Sequence, residues 1–120
     1  MIRAAFQYDR KGRIAAFRME GHARGWRPWP DLICAGVSAI AQTVIGSLGE
    51  LAGIEPDYVL ERGYIACSLV YPEDEKQAAA AATLMESARI GCLQIGDSYG
   101  NKYLTVVDLP PEDIKGDNHD

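Results

Sequence analysis

His22 and Cys34, separated by a short loop, are the side chains of this sequence best suited to covalent chemistry. An imidazole with an unperturbed pKa of about 6.5 can take a thiol proton and later return it to a leaving amine at neutral pH. A thiolate so produced attacks carbonyl carbon. Both residues fall in the stretch GHARGWRPWPDLICAGVSAIAQT, from Gly21 to Thr43. The pattern predicts that His22 follows a strand and that Cys34 lies in the first turn of a helix whose N-cap is Asp31. A helix N-terminus offers unpaired N–H groups and the positive end of the macrodipole, and both favour thiolate over thiol. The same N–H groups, around Leu32 to Cys34, are candidates for an oxyanion hole.

Asp31 has two compatible readings. As a cap it contributes about 1 kcal/mol to the helix; as the third member of a triad its carboxylate orients the imidazolium of His22. Ionised and close by, it would also oppose a thiolate. Ser38 lies one turn beyond Cys34 on the same helix face, where its hydroxyl either reaches His22 or substrate or bonds back to the carbonyl four residues earlier. The intervening loop, Arg24 to Pro30, is stiffened by Pro28 and Pro30, because each proline fixes its own φ and restrains its neighbour. Trp26 and Trp29 form either an apolar wall for an aromatic substrate side chain or a lid that packs down, and the wall is the preferred reading. Cys67, in a strand, and Cys92, in a helix, read as small buried hydrophobes.

Composition limits what such a site can serve. With 120 residues, 48% apolar and 24% charged, the chain makes one globular domain with room for a core. Its net charge of −5 with scattered Lys and Arg argues against direct nucleic-acid binding and suits a cationic partner. The N-terminus lacks an apolar signal-type segment and no uninterrupted apolar run reaches membrane-spanning length, so a cytoplasmic setting without membrane attachment is expected. Three widely spaced cysteines without a CxxC pair argue against a disulfide framework. One His and one Cys are too few for a closed zinc site, so neither metal nor other cofactor is expected.

The elements that must position the site follow from patterning. Ile2–Tyr8 and Arg13–Glu20 read as a hairpin across Asp9-Arg10-Lys11-Gly12. A helix from Leu32 to about Ala52 carries Ile33, Val37, Ile40, Val44, Leu48 and Leu51 as one apolar stripe, ending at Gly53. Gly36, Gly46 and Gly49 inside it suggest close approach to its backbone, since each is otherwise unfavourable. A second hairpin joins Tyr58–Glu61 to Tyr64–Tyr71 through Arg62-Gly63. An alanine-rich helix with an acidic first turn at Glu73–Glu75 then runs to about Gly96, and Lys102–Asp108 forms a last strand. The order ββαββαβ predicts an α+β fold, a mostly antiparallel sheet of about five strands with two helices packed on it. Residues 1–109 form the domain, and the acidic segment 110–120 reads as a mobile tail.

Gly21-His22-Ala23, a short loop, then Asp31-Leu32-Ile33-Cys34-Ala35-Gly36-Val37-Ser38-Ala39 resembles the signature of the ribosomal-processing cysteine proteases, the Prp or YsxB-like family. The order of elements resembles that family along the whole chain. The resemblance implies a homodimeric cysteine endopeptidase that removes the N-terminal extension of a large-subunit ribosomal protein, cutting after an aromatic residue. It makes His22 the general base and Cys34 the nucleophile, with Asp31 and Ser38 in support. The departure is the loop, which is bulkier, more basic and stiffer than the glycine-rich segment of relatives. The alternative is a ribosome-assembly or peptide-binding factor that uses the same pocket without turnover.

Overall fold

A computed structural model of the chain describes residues 1–22 and 29–111. The elements are β1 (Ile2–Tyr8), β2 (Ile14–Glu20), α1 (Trp29–Ala52), β3 (Asp57–Glu61), β4 (Tyr64–Ser68), α2 (Glu75–Tyr99) and β5 (Leu104–Leu109). The fold is α+β with the expected ββαββαβ order. The five strands lie in the order β3-β4-β2-β1-β5. Every neighbouring pair is antiparallel except β1 and β5, which run parallel. The chain reaches that parallel position through α2, which carries it from β4 across the sheet to β5 beside β1.

Hairpin β1–β2 shows why alternation in the second run is imperfect. The register passes from Gln7↔Ala16 directly to Tyr8↔Ile14, so Ala15 is an extra residue and the strand changes phase there. Ile14 thereby joins Phe17 and Met19 in the core. Asp9 organises the turn: its side chain accepts from the amides of Lys11 and Arg13 at 2.9 Å each and from Arg13 Nε at 2.9 Å.

Both helices cover the sheet face that carries Ile2, Ala4, Phe6, Phe17, Met19, Ile65 and Cys67. From α1 the core takes Ile33, Val37, Ala41, Val44, Ile45, Leu48 and Ala52. Two residues of the expected stripe differ: Leu51 is 70% exposed and Ile40 is only half-buried, turned toward α2. A small side chain, Ala41, is fully buried instead. The helix closes as expected at Gly53, whose φ is +67°, with Ile54 N–H bonded to the Leu48 carbonyl at 3.0 Å. Leu32–Ala52 spans 21 residues and its most apolar 18-residue window has a mean hydropathy of 1.7, long and apolar enough to cross a membrane by those measures, although Ser38, Gln42 and Thr43 interrupt the apolar run. In the fold its apolar face is packed on the sheet.

The helices meet through paired glycines. A Cβ on Gly36 would lie 3.2 Å from Ile95 Cδ1, and one on Gly91 would lie 2.9 Å from Ile40 Cδ1. Close approach thus explains Gly36, whereas Gly46 has nothing within 4 Å. Asp74 caps α2 by accepting from the Gln77 amide at 2.9 Å. The helix does not stop at Gly96, which is buried, but continues to Tyr99 and ends at Gly100 with φ +110°. Gly96 instead makes room for the chain that returns into β5, since a Cβ there would sit 3.4 Å from the Leu104 carbonyl oxygen. Of the expected tail, residues 112–120 lie outside the described residues, and the Pro110 carbonyl accepts from Gln7 Nε2 at 2.5 Å.

Candidate active site

One end of the sheet gathers the end of β2, the β3–β4 turn and the beginning of α1. Between them opens a cavity of about 290 Å³ whose walls include His22, Cys34, Ser38, Glu61, Arg62 and Gly63. His22 is exposed and Cys34 is half-buried. The side chains expected to act together therefore face a common space. Among the described residues no hydrogen bond joins them, a separation common in unliganded catalytic sites.

The position of His22 is set by backbone that only glycine permits. The Gly21 amide donates to the Gly63 carbonyl at 3.0 Å, tying the end of β2 to the β3–β4 turn. Gly21 has φ +102°, and a Cβ on it would collide with the Met1 carbonyl oxygen. The Met1 nitrogen in turn donates to the His22 carbonyl at 2.7 Å. Gly63 has φ +82°, and a Cβ on it would lie 2.5 Å from His22 Nε2. The imidazole thus rests against the turn where any larger residue would displace it. From sequence alone Gly63 signals only a turn, because nothing local announces which side chain will lie over it.

Helix α1 begins at Trp29, three residues before the expected start at Leu32. Asp31 is therefore not the N-cap but the third helical residue, and Cys34 is the sixth, in the second turn. Pro30 explains the shift, because proline is well suited to a first helical turn, where its missing N–H would have no partner. Only the first four amides of a helix lack internal partners. Counted from the N-cap, those four end at Asp31 in a helix that starts at Trp29, so the amides expected at Leu32 to Cys34 are not free to form an oxyanion hole. Trp26 lies outside the described residues, as do the side chains of Trp29 and Asp31, and with them the wall-or-lid and triad questions.

Ser38 faces the cavity one turn beyond Cys34. Its Oγ accepts from Gln42 Nε2 at 3.0 Å rather than bonding back to the helix. A hydroxyl fixed as acceptor keeps its own proton to donate. The other thiols differ in kind: burial, with a smaller contribution from Asp57, pushes Cys67 up to about 11, and burial pushes Cys92 up to about 12. Among the described residues no three His, Cys, Asp or Glu side chains gather as a metal site.

The same α+β architecture is found in solved structures. It is similar to SMU.848 from Streptococcus mutans, with a TM-score of 0.75 and 22% identity over 92% of this chain and 98% of that one. It is also similar to the essential ribosomal processing protease Prp of S. aureus, solved with a covalently linked product peptide, with a TM-score of 0.76 and 20% identity over 90% and 99% of the two chains. In sequence it is 30% identical over 111 residues to the ribosomal processing cysteine protease Prp of Bacillus subtilis (strain 168), covering 91% of this chain and 99% of that protein. Residues 1–104 match the family described as cysteine protease Prp, and the chain belongs to that family.

Proposed function

We propose that the chain is a processing endopeptidase that removes the N-terminal extension of a large-subunit ribosomal protein, cutting after an aromatic residue. The observation that carries this reading is the shared cavity of His22 and Cys34 in a chain of this family. In the proposed reaction His22 takes the Cys34 thiol proton as Sγ attacks the scissile carbonyl carbon. The tetrahedral oxyanion is met by backbone donors in the first turn of α1, such as the Asp31 amide. Collapse breaks the C–N bond, and His22 returns the proton to the leaving amine. Water, deprotonated by the same imidazole, then hydrolyses the thioester and frees the thiol.

Ser38 supports the reading as a hydroxyl held by Gln42 with a proton left for substrate. We assign Asp31 to orientation of the imidazolium, and Trp26 and Trp29 to contact with the aromatic side chain. We place the enzyme in the cytoplasm as a homodimer acting on protein rather than nucleic acid. The three free cysteines suit a reducing compartment. The test is cleavage of N-terminal segments of the source organism's ribosomal proteins, read by mass spectrometry, with wild type beside Cys34→Ala and His22→Ala. A cut after an aromatic residue that disappears in both variants is expected. Peptides that bind but stay intact under reducing conditions would instead favour a binding factor.

A further inference from the structure

The outer edge of the sheet beside the cavity is unpaired. β3 hydrogen-bonds β4 on one side only, and all five of its residues are exposed. Its ladder runs without a bulge from Asp57↔Ser68 to Glu61↔Tyr64, where Arg62-Gly63 forms a two-residue turn. In such a hairpin the pair flanking the turn exchanges both hydrogen bonds, and the pattern alternates from there. Asp57, Val59 and Glu61 therefore direct their backbone groups to β4, while Tyr58 and Leu60 turn N–H and C=O outward. Tyr58 and Leu60 are 55% and 43% exposed. The strand contains no proline, lysine or bulge, and the charges it places on the edge, Asp57 and Glu61, are both acidic.

Two observations indicate what pairs there. Glu61, the last residue of β3, also lines the cavity with His22 and Cys34, so a chain laid along this edge leads into the site. Glu55, Asp57 and Glu61 are exposed, and none of them forms an ion pair among the described residues. A second copy of β3 fits poorly. Antiparallel self-pairing of Tyr58 with Leu60 sets Asp57 opposite Glu61, parallel pairing sets each acid against itself, and like charges directly opposite destabilise a strand pair.

We infer that β3 is a docking strand for substrate: an extended segment carrying lysine or arginine at alternate positions adds to the sheet through Tyr58 and Leu60 and delivers its scissile bond to the cavity. This is strand addition, in which backbone bonds hold the peptide and side chains select it. It deepens the protease reading and rests on it. Leu60→Pro removes an outward N–H while leaving the amides that bond β4.

The probe is a fluorescent peptide alternating lysine and valine, measured by anisotropy against the full chain. The glutamate–valine counterpart and Leu60→Pro should each weaken binding about tenfold, the loss of one or two such interactions. A backbone N-methylated lysine–valine peptide should bind equally poorly, and this arm leaves the protein unaltered should Leu60→Pro misfold. For any ribosomal segment that is cut, the Leu60→Pro loss should fall in KM. Equal binding by the methylated peptide would overturn the inference. So would a Leu60→Pro protein that loses a dimer in sedimentation yet keeps the peptide, which assigns the edge to a second copy. Edge-dependent binding with no cleavage of any segment refutes the protease reading alone; cleavage indifferent to the edge refutes the docking strand alone.

Discussion

Cys34 and Cys92 both sit on helices of the same layer, yet they meet opposite surroundings. Cys92 faces inward with Ala81, Met85 and Ala88, fully buried, and its thiol is held protonated. Cys34 stands at the rim of the layer, half-buried, against a cavity that also holds His22, Ser38 and two charged residues. The same thiol is a small hydrophobe in one place and a candidate nucleophile in the other. What separates them is the end of the sheet, where glycine-dependent backbone leaves an opening instead of a packed core.

The sharpest way to break this contrast is to remove each thiol in turn. Cys34→Ala and His22→Ala should each lower kcat/KM by on the order of 10⁴-fold or more, measured on the segment found by mass spectrometry, with melting temperature little changed. Gly63→Ala, which changes no ionisable group, should lower kcat by on the order of 10²-fold by displacing the imidazole. Steady-state kinetics with a circular-dichroism melt separates that effect from unfolding. Cys92→Ser should do the reverse: it puts a hydroxyl in an apolar place, costing about 1–3 kcal/mol, so denaturant titration should show destabilisation while activity of the folded fraction persists.

The smallest effect concerns acid stability away from the cavity. Arg89 grips Asp108 through Nε at 2.8 Å and Nη2 at 2.7 Å. These hydrogen bonds, opposed by partial burial and aided by the guanidinium charge, hold the Asp108 carboxyl below its ordinary range. A carboxyl depressed by folding adds stability above its unfolded pKa and loses it as pH falls through the folded value. Asp108→Asn should therefore be slightly less stable at neutral pH and lose less on acidification, as melting temperatures between neutral and acid pH would show. Because the pair is substantially exposed, the effect should be modest.

Periodicity made the element order and the α+β class legible, because Ile33, Val37, Val44 and Leu48 recur at helical spacing and the strand runs are bounded by turn residues. It could not separate Leu51 from Ala41, since both fall near the stripe and only the sheet decides which is covered. Gly96 and Gly100 show the same limit: one gives way to a returning strand and the other ends the helix, and sequence spacing is equally compatible with both. The bulge at Ala15 was visible only as broken alternation. Within the site, the motif supplied His22, Cys34 and Ser38, and the fold put them on one cavity. It did not supply Gly63 or Glu61, which arrive from a distant hairpin.

The central claim, that Cys34 is the nucleophile, is most directly tested by acid-quenching the cleavage reaction in its first turnover and mapping the protein by mass spectrometry. The account predicts a thioester on Cys34 carrying the N-terminal product, absent from Cys34→Ala. An acyl group on another residue, or cleavage that continues in Cys34→Ala, would contradict it.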